Sequence, residues 1–72
     1  MILHPKTAAW DRAWDGLRKI IVAEDLGDGT DLLQENNGEG WQYMGTHDGH
    51  HEFRHRDHPV TNSREYRLVS AA

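Results

Sequence analysis

The N-terminal third of the chain repeats its apolar positions with the period of a helix. Spacings of three and four residues place on one face Trp10, Ala13, Trp14, Leu17 and Ile21. Thr7 precedes this run as a helix N-cap, and Gly27 follows it as a stop signal. The pattern predicts an amphipathic helix over residues 7–25, with its apolar face in the core.

Gly16 is unusual inside this predicted helix. Glycine in a helix interior costs about 1 kcal/mol relative to alanine, because it loses more backbone entropy on folding. Either the backbone approaches a neighbouring element closely at Gly16, or the helix bends there. The sequence is compatible with both explanations.

Turn signals divide the rest of the chain into segments with strand character. Asn37-Gly38 and Asp48-Gly49 are strong signals for β-hairpins, and a polar loop around Asn62 marks a third turn. The predicted strands are residues 30–35, 41–46, 50–56 and 64–69. The fold class is therefore α+β, with one N-terminal helix packed on one face of a three- to four-stranded antiparallel meander sheet.

The loop at Asp48-Gly49 decides which side chains face the helix. A two-residue loop would pair Met44 with Phe53 and would leave Trp41 and Tyr43 on the face opposite Phe53. A three-residue loop with a bulge at its glycine pairs Tyr43 with Phe53 instead. We favour the three-residue loop, because a core this small cannot leave two large aromatic side chains on the solvated face.

This register defines a predicted core and a predicted open face. The predicted core consists of Trp10, Trp14, Leu17, Ile21, Trp41, Tyr43, Phe53, Tyr66 and Leu68. The predicted open face carries the side chains that alternate with the core positions, namely Leu33, Gln42, Met44, Arg54, Arg56, Arg67 and Val69.

Length and composition restrict what else the chain can hold. Its 72 residues form one domain, residues 1–72, because a chain of about 60 residues buries only about 60% of its unfolded surface. Cysteine is absent, which excludes disulfides and thiolate chemistry. The apolar run at residues 1–3 is too short for a signal peptide or a membrane span, so we expect a cytoplasmic protein without membrane contact.

The net charge of −4 is unevenly distributed. The surplus of acidic residues lies in residues 1–39, whereas residues 40–72 are formally neutral and contain five of the six histidines. This balance does not favour a general nucleic-acid binder, which usually has a basic domain.

The histidine-rich hairpin invites a metal site. Zinc needs three or four ligands that converge at about 2.0–2.2 Å from one ion. On a strand, His51 and His55 share a face but lie roughly 13 Å apart, and His50 points to the other face. We therefore expect no metal and no other cofactor.

His51 and His55 also share the predicted helix side with Phe53. Burial disfavours a charged imidazole, so we expect acid to destabilise the fold. The alternative is that a carboxylate from Glu52 or a neighbouring segment reaches these rings, which would reverse the trend.

The segment Gly49-His50-His51-Glu52-Phe53-Arg54-His55 resembles part of a motif of the HicA family of small RNA-cleaving toxins. In that family, Gly-Ser-His at the start of a strand is followed by an aromatic residue and a further histidine, within a fold like that of double-stranded-RNA-binding domains. The serine is missing here, and no helix is predicted after the sheet. The resemblance implies that His50 or His51 would act as a general acid or base on RNA.

A second interpretation, binding of RNA or DNA, rests on basic side chains of the predicted open face. Phosphate contacts would come from Arg54, Arg56 and Arg67, with His50 nearby. Glutamates among these residues offset the charge, and the favoured register leaves no aromatic side chain there for base stacking. Nucleic-acid binding is therefore the alternative interpretation.

The interpretation that we rank first is self-association. Three apolar residues lie on the predicted open face: Leu33, Met44 and Val69. A domain with so small a core commonly gains stability by oligomerising, although single apolar side chains on a surface are also normal. No catalytic triad, phosphate-binding glycine loop or carboxylate pair is apparent. We predict a non-catalytic accessory or protein-interaction domain that forms a homodimer or binds another protein.

Overall fold

The computed structural model describes residues 1–27 and 40–72. It contains one helix, α1 (Ala8–Ala23), and three strands, β1 (Trp41–His47), β2 (His50–His58) and β3 (Ser63–Ser70). The strands form one antiparallel sheet in the order β1-β2-β3, and α1 packs on one of its faces. The predicted α+β class is confirmed. The predicted strand at residues 30–35, the turn at Asn37-Gly38 and the side chain of Leu33 lie outside the described residues.

The two ends of α1 are fixed by different devices. Thr7 caps the N-terminus, as predicted. At the C-terminus, Asp25 adopts a left-handed conformation with φ of 58°, and the Leu26 amide donates to the Ile21 carbonyl at 2.9 Å. This geometry ends the helix and turns Leu26 into the core beside Ile21. The prediction that Gly27 supplies the helix stop is therefore wrong.

Gly16 marks a close approach between α1 and the sheet. A Cβ atom built on Gly16 would lie 2.6 Å from the Cγ1 atom of Val69, which is too short for a carbon–carbon contact. Of the two explanations that the sequence leaves open for Gly16, the structure therefore supports the close contact with β3.

The pairing of β1 with β2 agrees with the favoured register. Tyr43 pairs with Phe53, and Trp41 pairs with His55. Both Trp41 and Tyr43 are buried on the side of the sheet that faces α1. The predicted facing of these two aromatic residues is confirmed.

The loop that produces this register differs from the predicted one. His47 pairs directly with His50, so Asp48-Gly49 is a two-residue turn, with φ of 52° and 76°. The extra residue is Met44, at a bulge inside β1. The predicted bulge at Gly49 is wrong, yet the pairing is right, because one inserted residue shifts the register equally at either position.

The side chains of β3 that face the core are not the predicted ones. Val69 pairs with His51 and is buried, whereas Tyr66 and Leu68 are 50% and 55% exposed. The predictions that Tyr66 and Leu68 belong to the core and that Val69 lies on the open face are wrong.

The cause of this inversion lies in the connection between β2 and β3. β2 continues to His58, which pairs with Ser63, and the register shifts by one residue between His55 and His58. A shift of one residue moves every following side chain to the other face of the sheet.

The core forms between α1 and the inner face of the sheet. Trp14 and Phe53 are fully buried, with ring centroids 4.8 Å apart in an edge-to-face arrangement. The complete set of buried apolar residues comprises Leu3, Trp10, Ala13, Trp14, Leu17, Ile21, Leu26, Trp41, Tyr43, Phe53 and Val69. Within residues 1–27 and 40–72, no helix is long and apolar enough to cross a membrane.

Candidate functional site

The predicted phosphate-binding residues are dispersed. Arg54 lies on the sheet face opposite α1, where its guanidinium donates to the Oε1 atom of Gln42 at 2.6 Å. Arg56 is exposed on β2. His50 is exposed at the turn, with its Nδ1 atom 3.0 Å from the carbonyl oxygen of Asp48. Among the described residues, no hydrogen bond or ion pair links Arg54, Arg56 and His50 to one another.

Arg67 belongs to the other side of the sheet. Its guanidinium contacts both carboxylate oxygens of Glu24, with a shortest distance of 2.8 Å, and reaches Glu65 at 3.2 Å. Burial alone would lower the pKa of Arg67, but the hydrogen bonds to these two carboxylates outweigh it and raise the pKa. The prediction that Arg67 joins Arg54 on the open face is wrong. Its charge instead links the end of α1 to β3.

The sheet face opposite α1 carries a small apolar surface, which we call the open-face patch: Met44, Tyr66 and Leu68. These side chains are 43%, 50% and 55% exposed, respectively. Leu68 pairs with Glu52, and Tyr66 pairs with Arg54, so charges of opposite sign lie beside the apolar side chains. Met44 is retained from the predicted self-association residues, whereas Val69 packs against α1.

On the inner side of the sheet, buried polar groups form a chain of hydrogen bonds. The backbone amide of Leu3 donates to the hydroxyl of Tyr43 at 3.0 Å. That hydroxyl lies 2.5 Å from the Oγ1 atom of Thr46, which lies 2.6 Å from the Nδ1 atom of His51. This chain, which we call the Tyr43–His51 relay, connects the N-terminal segment, β1 and β2.

The N-terminal segment is held in place by β1. The backbone groups of Met1 and Thr46 hydrogen-bond reciprocally at 3.0 Å, which extends the outer edge of β1 by a short pairing. Leu3 then enters the core. Met1 and Leu3 therefore lie beside His51. No sequence pattern in residues 1–5 predicts this position.

His51 lies at a pocket of about 370 Å³ beside the first half of α1. The pocket is lined by Met1, Leu3, Ala9, Arg12, Ala13, His51 and residues 70–72. Burial lowers the pKa of His51, and the adjacent His50 lowers it further. His51 is therefore a neutral imidazole near neutral pH.

The other buried histidines, His55 and His58, lie at the opposite end of β2. Their ring centroids are 4.8 Å apart, and both rings pack edge-on against Trp41. Each Nδ1 atom accepts a backbone N–H group, from Asp57 and Val60 respectively. In the described part of the chain, no three histidine or carboxylate side chains are grouped so that they could hold a metal ion.

Comparisons with profiles of known protein families, with curated proteins and with solved structures find no significant match to this chain. The geometry of the described residues therefore carries the indications of function. Two features stand out in that geometry: the open-face patch, and the pocket at the end of the Tyr43–His51 relay.

Proposed function

We propose that this chain is a non-catalytic interaction domain that self-associates through its open-face patch. The observation that carries this proposal is the exposure of Tyr66 and Leu68 on adjacent alternating positions of β3. An aromatic and a leucine side chain that share one sheet face and remain half exposed favour burial against a partner.

The surroundings of the patch support a second copy of the chain as that partner. Glu52 and Arg54 flank Leu68 and Tyr66 with opposite charges, on the same strand and the same face. In a two-fold symmetric contact whose axis passes between these two positions, each charge of one copy meets the opposite charge of the other copy. The small core adds a reason, because contact between two copies buries apolar area that one chain of this length cannot.

The test measures how the melting temperature depends on protein concentration. A dimer's stability follows mass action, so the melting temperature of the parent protein should rise with concentration. The variant Leu68→Lys should remove this dependence. In the monomer this lysine is tolerated, because Leu68 is half exposed and its cross-strand neighbour is Glu52.

Val60→Lys is the matched control, because Val60 is 56% exposed but lies in the loop between β2 and β3. It introduces the same charge in place of an apolar side chain, outside the patch. The control should melt with the same concentration dependence as the parent. A parent melting temperature that is independent of concentration, or a dependence that survives in Leu68→Lys, would contradict the proposal.

A further inference from the structure

The Tyr43–His51 relay occupies the Nδ1 atom of His51 with the hydroxyl of Thr46. The Leu3 amide donates to the Tyr43 hydroxyl. Either hydroxyl of the Tyr43–Thr46 pair can be the donor. When the Tyr43 hydroxyl donates to Thr46, the Thr46 hydroxyl donates to Nδ1 of His51. In the neutral ring, the proton is then on Nε2.

The Nε2–H group of His51 is a donor with no protein partner within residues 1–27 and 40–72. His51 is 7% exposed as a residue, and it lines the pocket beside α1. In the tautomer with the proton on Nε2, this group is a donor at the pocket, and a ligand oxygen atom there would supply its acceptor.

Arg12 adds a positive charge to the same pocket. Its side chain lines the pocket from the first half of α1. In the part of the chain that the structure describes, its guanidinium forms neither an ion pair nor a hydrogen bond, unlike that of Arg67. A guanidinium beside a neutral N–H donor is a combination that binds oxyanions.

The remaining walls of the pocket combine an apolar side with Ser70 and residues 71–72. Leu3, Ala9 and Ala13 line it with methyl and methylene groups. The volume of about 370 Å³ lies at the lower end of the range for small-molecule sites. The pocket therefore accommodates a short apolar group in addition to an anionic head.

We propose that this pocket binds a small organic oxyanion, a carboxylate or a phosphate monoester with a short alkyl group. Its oxygen atoms accept hydrogen bonds from Nε2 of His51 and from the guanidinium of Arg12. Its alkyl group packs against Leu3 and Ala13. This site lies on the α1 side of the sheet and does not depend on the open-face patch.

The test is an NMR titration of the full chain with butyrate and, separately, with propyl phosphate, followed through the imidazole resonances of His51. At least one of the two anions should give saturable shifts, and the tighter of them identifies the head group. Butyramide has a similar shape to butyrate but no charge, and it should bind roughly tenfold more weakly, the loss expected for one charge-assisted hydrogen bond.

Two pairs of variants separate the site from general electrostatic attraction. Arg12→Gln should weaken binding roughly tenfold, whereas Lys19→Gln, which removes an equal charge elsewhere on α1, should leave it unchanged. Ala9→Leu should block the pocket, whereas Ala8→Leu on the exposed side should not. Absence of saturable shifts with either anion, equal binding of butyramide, or equal effects of Arg12→Gln and Lys19→Gln would overturn the proposal.

Discussion

At the scale of single residues, Gly16 is where α1 comes close to β3. We expect Gly16→Ala to destabilise the protein by about 1–3 kcal/mol, the usual cost of overpacking. In an unpacked helix, the same substitution would stabilise by about 1 kcal/mol. The reason is the 2.6 Å approach of the new Cβ atom to Val69, which urea unfolding would report as a lower midpoint.

The double variant Gly16→Ala with Val69→Ala provides the control. Removing the Val69 methyl groups creates the room that the new Cβ atom needs, so the combined loss should be smaller than the sum of the two single losses. A single variant Gly16→Ala that is more stable than the parent would show that the helix and the sheet do not meet as described.

The lowered pKa of His51 makes the stability of the fold depend on pH. Its pKa is lowered in the folded state by burial and by His50, so the unfolded chain binds more protons below the ordinary value of 6.5. The stabilisation is complete above pH 6.5 and is lost as the pH falls through 6.5 towards the lower folded pKa. Acid should therefore destabilise the fold.

Thermal melts near pH 7.5 and pH 5.5 measure this effect, over a window that spans the ordinary histidine pKa of about 6.5. His51→Gln should reduce the difference between the two conditions, because it removes the group whose pKa is lowered. His50→Gln, at the exposed neighbouring position, is the control and should retain most of the difference. A parent protein that is more stable at the lower pH would contradict this assignment.

At the scale of elements, β3 shows how far a sequence pattern can be followed. The period of α1 alone was enough to predict its buried face, because five apolar residues agree on one stripe. In β3, Tyr66 and Leu68 alternate with Arg67 and Val69, so both faces offer apolar side chains. The register shift between His55 and His58 decides which face of β3 packs against α1, and no residue in the sequence indicates that shift.

The orientation of β3 gives a direct prediction. Val69→Ala should cost roughly 1–3 kcal/mol, because it leaves a cavity beneath α1. In dilute, monomeric protein, Leu68→Ala should change the free energy of unfolding by no more than about 0.5 kcal/mol, the usual range for an exposed position. Denaturant unfolding of the two variants side by side tests this orientation of β3. A larger loss of stability in Leu68→Ala than in Val69→Ala would instead support the orientation predicted from the sequence.

The candidate site was less accessible to sequence reasoning than the fold. The pocket joins Leu3, Arg12 and His51, which are distant in sequence and carry no shared motif. The Tyr43–His51 relay depends on the bulge at Met44, because that bulge brings Thr46 opposite His51. A pattern with a period of two does not reveal an inserted residue until the pairing partners are known.

At the scale of the whole molecule, the domain depends on a core with few large residues. Trp14→Ala should cost about 3–5 kcal/mol, which is most or all of the stability of a typical small domain. The reason is that Trp14 is fully buried and contacts the rings of Trp10 and Phe53. Far-ultraviolet circular dichroism should show a largely unfolded variant, and a parent-like melting curve would contradict the described core.

We propose that the open-face patch joins two copies of the chain. The direct test of this dimer is sedimentation equilibrium of the parent protein at micromolar concentration, beside Leu68→Lys and Val60→Lys. We predict twice the chain mass for the parent and for Val60→Lys, and the mass of a single chain for Leu68→Lys. A parent protein that sediments as a single folded chain over the whole concentration range would contradict the claim.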